Sequence, residues 1–264
     1  MMKEKKKYGL VLSGGSARGF AHIGALKVLE QRGFVPDIIS GTSAGALIGS
    51  MYAAGKSADE MAAFAKRQSF MKSVKVGWPV KGLSRFHKLD TALRKFTGVE
   101  TFEDLKIPLK VTVSNIEKGC EEVFDSGPLW DVVLASCSIP MLFKPVVING
   151  MTYVDGGLFR NFPASTIRQE CDYLVGINLL PNREVKREDL ESITSVASRC
   201  FMLSVRTRNN GDLRLVDLLI EPDKLEDFSL FAFGKFEEIY QVGYDETKKV
   251  ASPEWFANHL ISQS

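Results

Sequence analysis

An excess of charge of one sign is what this sequence lacks first. Over 264 residues, 34 Lys and Arg stand against 32 Asp and Glu, a formal charge of +2. A nucleic-acid-binding domain usually carries a clear basic excess, so nucleic acid is not an expected partner. Cysteine is scarce: Cys120, Cys137, Cys171 and Cys200 are scattered, with no C-x-x-C pair and no histidine at ligand spacing. That spacing argues against a zinc site or a disulfide framework. It predicts reduced, mostly buried thiols in a cytosolic protein. Long apolar runs are missing too. A spanning helix needs about 20 mostly apolar residues. The best stretches, Ala44–Gly55 and Val132–Phe143, are shorter and contain Ser50, or Ser136, Ser138 and Pro140. Met1–Lys7 carries four lysines, but the run after it, Tyr8–Ser13, is too short for the core of a signal peptide. The expectation is a mature chain that starts near Met1 and stays where it is made. Linkers rich in Pro, Ser or Gly, repeats and low-complexity tracts are also missing, which favours one domain over residues 1–264.

What is present is a globular composition, 45% apolar and 25% charged, enough to offset the entropy of ordering a core. Gly9–Ser13 is a short apolar run that enters a glycine cluster, Gly14-Gly15-Ser16-Ala17-Arg18-Gly19. Ala21, Ile23, Ala25, Leu26, Val28 and Leu29 then recur at helical spacing up to Gly33. A second run, Asp37–Ser40, ends at Gly41-Thr42-Ser43-Ala44-Gly45 and a small-residue helix, Ala46–Ala54. Strands alternating with helices predict an α/β fold: a three-layer α/β/α sandwich on a mostly parallel central sheet. Farther on, the pattern predicts helices at Ala58–Gln68, Leu89–Phe96, Leu129–Ser136, Pro163–Glu170 and Ile193–Val205, with terminal helices at Phe236–Val250 and Glu254–Ile261. Phe70–Lys88 reads as an irregular cap. Strands are expected at Leu109–Ser114 and Glu121–Phe124 around a Glu117-Lys118-Gly119 turn, and at Tyr173–Asn178 and Leu215–Ile220. A hairpin is expected on Asn149-Gly150, the strongest short hairpin signal in the chain.

Three motifs carry candidate chemistry. Gly41-Thr42-Ser43-Ala44-Gly45 matches G-x-S-x-G on a strand-to-helix turn, which would expose a Ser43 nucleophile beside the amides of the next helix. It is equally readable as a Gly/Ser turn packed with small residues. In Gly14–Gly19 the amides could converge on an anion. A P-loop would need Lys-Ser/Thr where Phe20-Ala21 stand. A dinucleotide fingerprint would need glycine at Ser16, although Asp37 lies 18 residues beyond Gly19, near the ribose-binding position. An oxyanion hole is the third reading, and a plain structural turn the fourth. Asp155, before Gly156-Gly157, is a turn aspartate or a base for a serine. None of the three histidines, His22, His87 and His259, has a motif context that puts it beside Ser43. A dehydrated carboxylate has the raised proton affinity a base needs.

In their order, Gly14–Gly19, Gly41–Gly45 and Asp155-Gly156-Gly157 resemble the patatin-like phospholipases. So do Ala21-His22-Ile23-Gly24-Ala25-Leu26, Ser138-Ile139-Pro140 and Phe143-Lys144-Pro145-Val146, and the likeness covers about residues 8–180. The resemblance implies a Ser43–Asp155 dyad without catalytic histidine, in an elbow of Gly41, Thr42, Ala44 and Gly45. It implies an oxyanion hole from Gly14, Gly15, Ser16 and Arg18, and hydrolysis of lipid acyl esters with no metal or cofactor. Ser16 stands where the family loop usually has a third glycine; a positive φ there would strain serine. Arg18 would support an oxyanion or a lipid phosphate, or else fix the loop by an ion pair.

The expected partner is a lipid acyl ester, met in the cytoplasm or in transient contact with a membrane surface. The basic-aromatic stretch Phe70–Phe86 could rest on an anionic surface or pack as a cap. Phe228, Phe231, Phe233 and Phe236 could line an acyl tunnel or close the core. The rival reading is a non-catalytic lipid-binding or regulatory module on the same fold. A nucleotide-binding protein is the third.

Overall fold

The computed structural model describes residues 6–67, 80–140, 142–181, 184–185 and 187–260. Eight strands are described: β1 (Tyr8–Leu12), β2 (Ile38–Thr42), β3 (Leu109–Asn115), β4 (Cys120–Phe124), β5 (Val146–Ile148), β6 (Met151–Asp155), β7 (Tyr173–Ile177) and β8 (Leu218–Ile220). They form one sheet in the order β5-β6-β3-β2-β1-β7-β8, with β4 added on β3. The run β3-β2-β1-β7-β8 is parallel. Strands β4 and β6 are antiparallel to β3, and β5 to β6. Every residue of β1 and β2 is buried, as strands covered on both faces must be.

Alternation along the strands sorts their side chains between two apolar layers. Tyr8, Leu10, Leu12, Ile39, Val111, Val113, Val175 and Ile177 join the main core. Its helices are α1 (Phe20–Gln31), α2 (Ala44–Ala53), α3 (Ala58–Arg67), α4 (Val80–Thr97), α5 (Leu129–Ser136), α7 (Phe236–Val250) and α8 (Pro253–Leu260). Val11, Ile38 and Leu174 face the other way, against Phe162, Ala164, Ile167 and Leu213, the last residue of α6 (Ile193–Leu213).

Several expectations need correction. Pro163–Glu170 is two short 3-10 turns, Ala164–Thr166 and Arg168–Glu170, not a helix. Polar side chains there take over backbone groups: Thr166 Oγ1 donates to Pro163 O (2.6 Å), and Asp212 Oδ1 accepts from Ser165 N (2.7 Å). The expected cap is partly helix, because α4 begins at Val80; residues 68–79 lie outside the described residues. Lys81, Arg85 and Lys88 are good helix formers despite the sparse apolar pattern. Helix α6 continues past Val205, held by tertiary bonds in which Asn209 Oδ1 accepts from Phe162 N and Asp212 pairs with Arg160. Cys120 and Cys171 are half-buried and Cys200 is exposed, so these thiols are less enclosed than expected, whereas the thiol of the half-buried Cys137 is itself enclosed. The Asn149-Gly150 hairpin forms as expected, with both residues at positive φ (50° and 78°), as a tight two-residue turn requires.

Register positions the candidate chemistry. Leu12 pairs with Gly41, so the loops after β1 and β2 leave the sheet side by side. Thr42 pairs with Thr112, and the next residue of β3, Val113, pairs with Asp155. Strand β4 occupies one edge of β3 over Val111–Asn115, so β2 and β6 share the other. The end of β2 and the end of β6 therefore meet across that edge.

Candidate active site

The turn from β2 to α2 is sharp. Ser43 sits at φ 53°, ψ −120°, a conformation that costs a non-glycine residue about 1–3 kcal/mol. Its neighbours explain why it persists. A Cβ on Gly45 would lie 2.0 Å from the Leu12 carbonyl oxygen, and one on Gly41 would lie 2.6 Å from the Gly45 carbonyl oxygen. Strand and helix thus approach closer than any side chain permits. The Ser43 N–H donates to Ser136 Oγ (2.8 Å), which in turn donates to Thr112 O (2.7 Å).

The Ser43 hydroxyl donates to Asp155 Oδ2 at 2.6 Å. The other carboxylate oxygen, Oδ1, accepts from Gly157 N at 2.8 Å. The Asp155 backbone is tied on both sides, N–H to Ser138 O (2.9 Å) and carbonyl to Ser114 Oγ (2.9 Å). A Cβ on Gly156 would lie 2.2 Å from Thr112 O, which explains the glycine there. Asp155 is buried, and desolvation pushes its carboxyl up to about 6; the bonds from Ser43 and Gly157 pull against that rise.

The loop after β1 lies against Ser43. A Cβ on Gly14 would be 3.2 Å from Ser43 Cβ and 2.3 Å from Asn161 Oδ1. Ser16 has φ 52°, the left-handed region that favours glycine, so serine is strained where the glycine is missing. Three amides of the loop are occupied: Gly14 N–H by Asn161 O, Ala17 N–H by Leu230 O and Arg18 N–H by Gly15 O, each at 3.0 Å. Among the described residues, the Gly15 and Ser16 amides have no acceptor.

The patatin-like phospholipase family model matches residues 10–167, more than half of the chain. This chain belongs to the patatin-like phospholipase family. It is similar to Lysophospholipase NTE1 of Kluyveromyces lactis, 30% identical over 89% of this chain and 18% of that protein. Lysophospholipase NTE1 of Candida glabrata is 29% identical over 90% of this chain and 16% of that protein. The chain therefore spans less than a fifth of the length of these curated relatives. Its fold resembles that of VipD from Legionella pneumophila, with a TM-score of 0.54 at 16% identity, covering 94% of this chain and 67% of that one.

In this patatin-like fold an apolar cavity of about 130 Å³ opens beside the serine. Ser16, Gly19, Ser43, Ala44 and Cys137 line it together with Leu47, Met51, Phe64, Leu93, Phe143 and Phe233. The phenylalanines divide their roles: Phe233 lines the cavity, while Phe236 is buried in the core. The Cys137 thiol meets Ser43, and its burial, together with the Asp155 charge, raises its proton affinity, so it stays neutral.

The structure separates other residues from this chemistry. The Arg18 guanidinium donates to Phe228 O (3.0 Å) and Leu179 O (3.4 Å) and pairs with Glu226 (3.3 Å). That is the loop-fixing arrangement. His22 is fully buried, bonded to Ser13 O at 2.8 Å, and burial lowers its pKa to about 4. Among the described residues no group of three or more His, Cys, Asp or Glu is arranged to hold a metal ion. No described helix is long and apolar enough to cross a membrane. Ser136, Ser114, Asn161 and Glu226 support the site without having stood out in the sequence. Each acts through a partner at least 20 positions away, although Ser136 and Ser114 lie within the expected helix and strand.

Proposed function

We propose that this chain is a serine acyl-ester hydrolase that cleaves fatty-acyl esters of the lysophospholipid type. The observation that carries the reading is the 2.6 Å bond from Ser43 Oγ to a buried carboxylate, beside an apolar cavity. Relatives named lysophospholipases match nearly the whole chain, which supports the substrate class.

Asp155 takes the Ser43 proton as Oγ forms a bond to the ester carbonyl carbon. Its pKa near 6 leaves it ionised at neutral pH and basic enough to accept. The carbonyl electron pair moves onto oxygen, and the two unoccupied amides, Gly15 and Ser16, are the donors available to it. The Gly14 and Arg18 amides, included in the expected hole, already have acceptors. Collapse breaks the ester C–O bond, and the alcohol leaves with the proton from Asp155. Water then attacks the acyl-serine; Asp155 takes its proton and returns it to Ser43 Oγ as the acyl–Oγ bond breaks and the fatty acid is released. The acyl chain lies in the cavity, and the substrate is met at a membrane or micelle surface.

The test is intact-protein mass spectrometry after treatment with a fluorophosphonate. The expected result is one adduct on the wild type and none on Ser43→Ala, which should lose at least about 10³-fold in turnover. A folded wild-type protein that takes no adduct and hydrolyses no lysophospholipid would overturn the reading in favour of a lipid-binding module.

A further inference from the structure

Ser16 holds a backbone conformation that serine disfavours, and its amide is one of two donors free to meet an oxyanion. Something must keep it there. Within the loop, the Arg18 N–H closes back on Gly15 O, and N–H groups at its Phe20 end close on Ala17 O and Arg18 O. Its outward ties run to Asn161 and Leu179, and to a segment more than 200 residues later in the chain. Leu230 O accepts from Ala17 N (3.0 Å), Phe228 O accepts from Arg18 Nε (3.0 Å), and Glu226 Oε1 pairs with Arg18 Nη1 (3.3 Å).

Glu226 is the hub of that clamp. Its Oε1 also pairs with Arg206 Nη2, from α6. All three side chains are enclosed, at 7% exposure for Arg18, 10% for Glu226 and 9% for Arg206. Two buried cations thus share one carboxylate oxygen. Arg206 Nε and Nη1 have no acceptor among the described residues. Without the Glu226 charge, two enclosed guanidiniums would be left facing each other, a strong force to push Arg18 and its loop outward.

We infer that Glu226 is a positioning residue: through Arg18 it clamps the glycine loop so that Ser16 stays left-handed and its amide faces the reacting carbonyl. This rests on the hydrolase reading above. It goes beyond that reading by giving a function to a residue outside the family-matched segment and by tying it to the missing glycine at position 16.

The test is a double-mutant cycle on Glu226→Gln and Ser16→Gly. It is read by hydrolysis of p-nitrophenyl butyrate and by the amide NMR resonances of residues 15 and 16. In Glu226→Gln, kcat is expected to fall about 10- to 100-fold with KM within about threefold, because donor placement matters only in the transition state. Glycine adopts positive φ without help, so Ser16→Gly should restore most of that kcat in the double variant. A merely structural role of Glu226 would lower thermal stability without a kcat-specific loss, and glycine at position 16 would not rescue it. If Glu226→Gln fails to fold, Glu226→Gln combined with Arg206→Met removes the surplus cation and serves as the starting variant. Unchanged kcat, or a loss that Ser16→Gly does not rescue, overturns the inference. If the wild type itself hydrolyses no ester, the hydrolase reading fails first. The residue 15 and 16 resonances then still decide the clamp: they move in Glu226→Gln if it holds the loop and stay in place if it does not.

Discussion

Ser16 and Ser43 take nearly the same φ, 52° and 53°, in the loops that leave two neighbouring strands, yet the molecule holds them by different means. Ser43 is fixed by what stands around it: glycines packed onto backbone, a Ser136 bond to its amide and Asp155 on its hydroxyl. Ser16 is fixed by charge and by a distant segment, through Arg18, Glu226, Phe228 and Leu230. The first device is steric and has no soft direction. The second is a buried ion cluster with unsatisfied donors, easier to perturb by a single change. A rigid turn around Ser43 thus stands beside a glycine loop whose geometry depends on remote residues.

The largest effect should come from forcing the steric side. Gly45→Ala would put a methyl group 2.0 Å from the Leu12 carbonyl oxygen, a backbone atom that cannot step aside. The expected loss is about 3 kcal/mol or more by urea denaturation, or failure to fold. Gly15→Ala would meet the Leu179 side chain at 2.8 Å, which can shift, so about 1–2 kcal/mol is expected. Equal losses at the two positions would erase the distinction between a rigid and a yielding turn.

The next effect concerns the carboxylate that the rigid turn faces. Asp155 has its pKa raised to about 6, so the native state holds its proton more tightly than the unfolded chain does. The stability it contributes is full below the unfolded value near 4 and is lost as pH rises through 6. Asp155→Asn should therefore be more stable than wild type at pH 8, by about 1–3 kcal/mol, with the difference vanishing below about pH 4. Turnover should be lost at every pH. In the wild type, kcat/KM should rise with pH through an apparent pKa near 6, as the base ionises. Thermal melts of both proteins across pH 4–8 check the first claim; a wild type more stable at pH 8 would show that bonds to the carboxylate outweigh its desolvation.

What the sequence made legible divides along the same line. The rigid turn was readable because its parts are contiguous or sit in recognisable contexts: Gly41 to Gly45 on a strand end, Asp155 before two glycines after a hairpin. The parallel sheet followed from apolar runs alternating with helical spacing. The clamp was not readable. Nothing in Arg18, Arg206 or Glu226 marks them as one cluster, since ion pairs leave no periodicity and the three lie on separate elements. The pattern at 164–170 reads as a helix, whereas Ser165 and Thr166 bond Asp212 and the backbone, contacts that propensity does not encode. The aromatics near 228–236 split between cavity and core by a depth that spacing alone does not give.

Smallest, and most informative about the yielding side, is Ser16→Gly in an otherwise native chain. Relief of left-handed strain favours the folded state by about 1 kcal/mol, and the added freedom of glycine in the unfolded chain takes part of that back. A net gain of a few tenths of a kcal/mol up to about 1 is expected, or a Tm rise of at most about 3 °C at this size. The clamp sharpens the expectation: when Arg18, Glu226 and Arg206 are intact they already hold the loop, so glycine should add little to kcat. Its benefit should appear once the cluster is broken, as in Glu226→Gln. Differential scanning calorimetry of both chains, with kcat measured with and without Glu226→Gln, separates the two effects. A large gain in kcat from glycine with Glu226 in place would mean that the intact cluster leaves Ser16 badly placed, and that the loop is held less firmly than its bonds suggest.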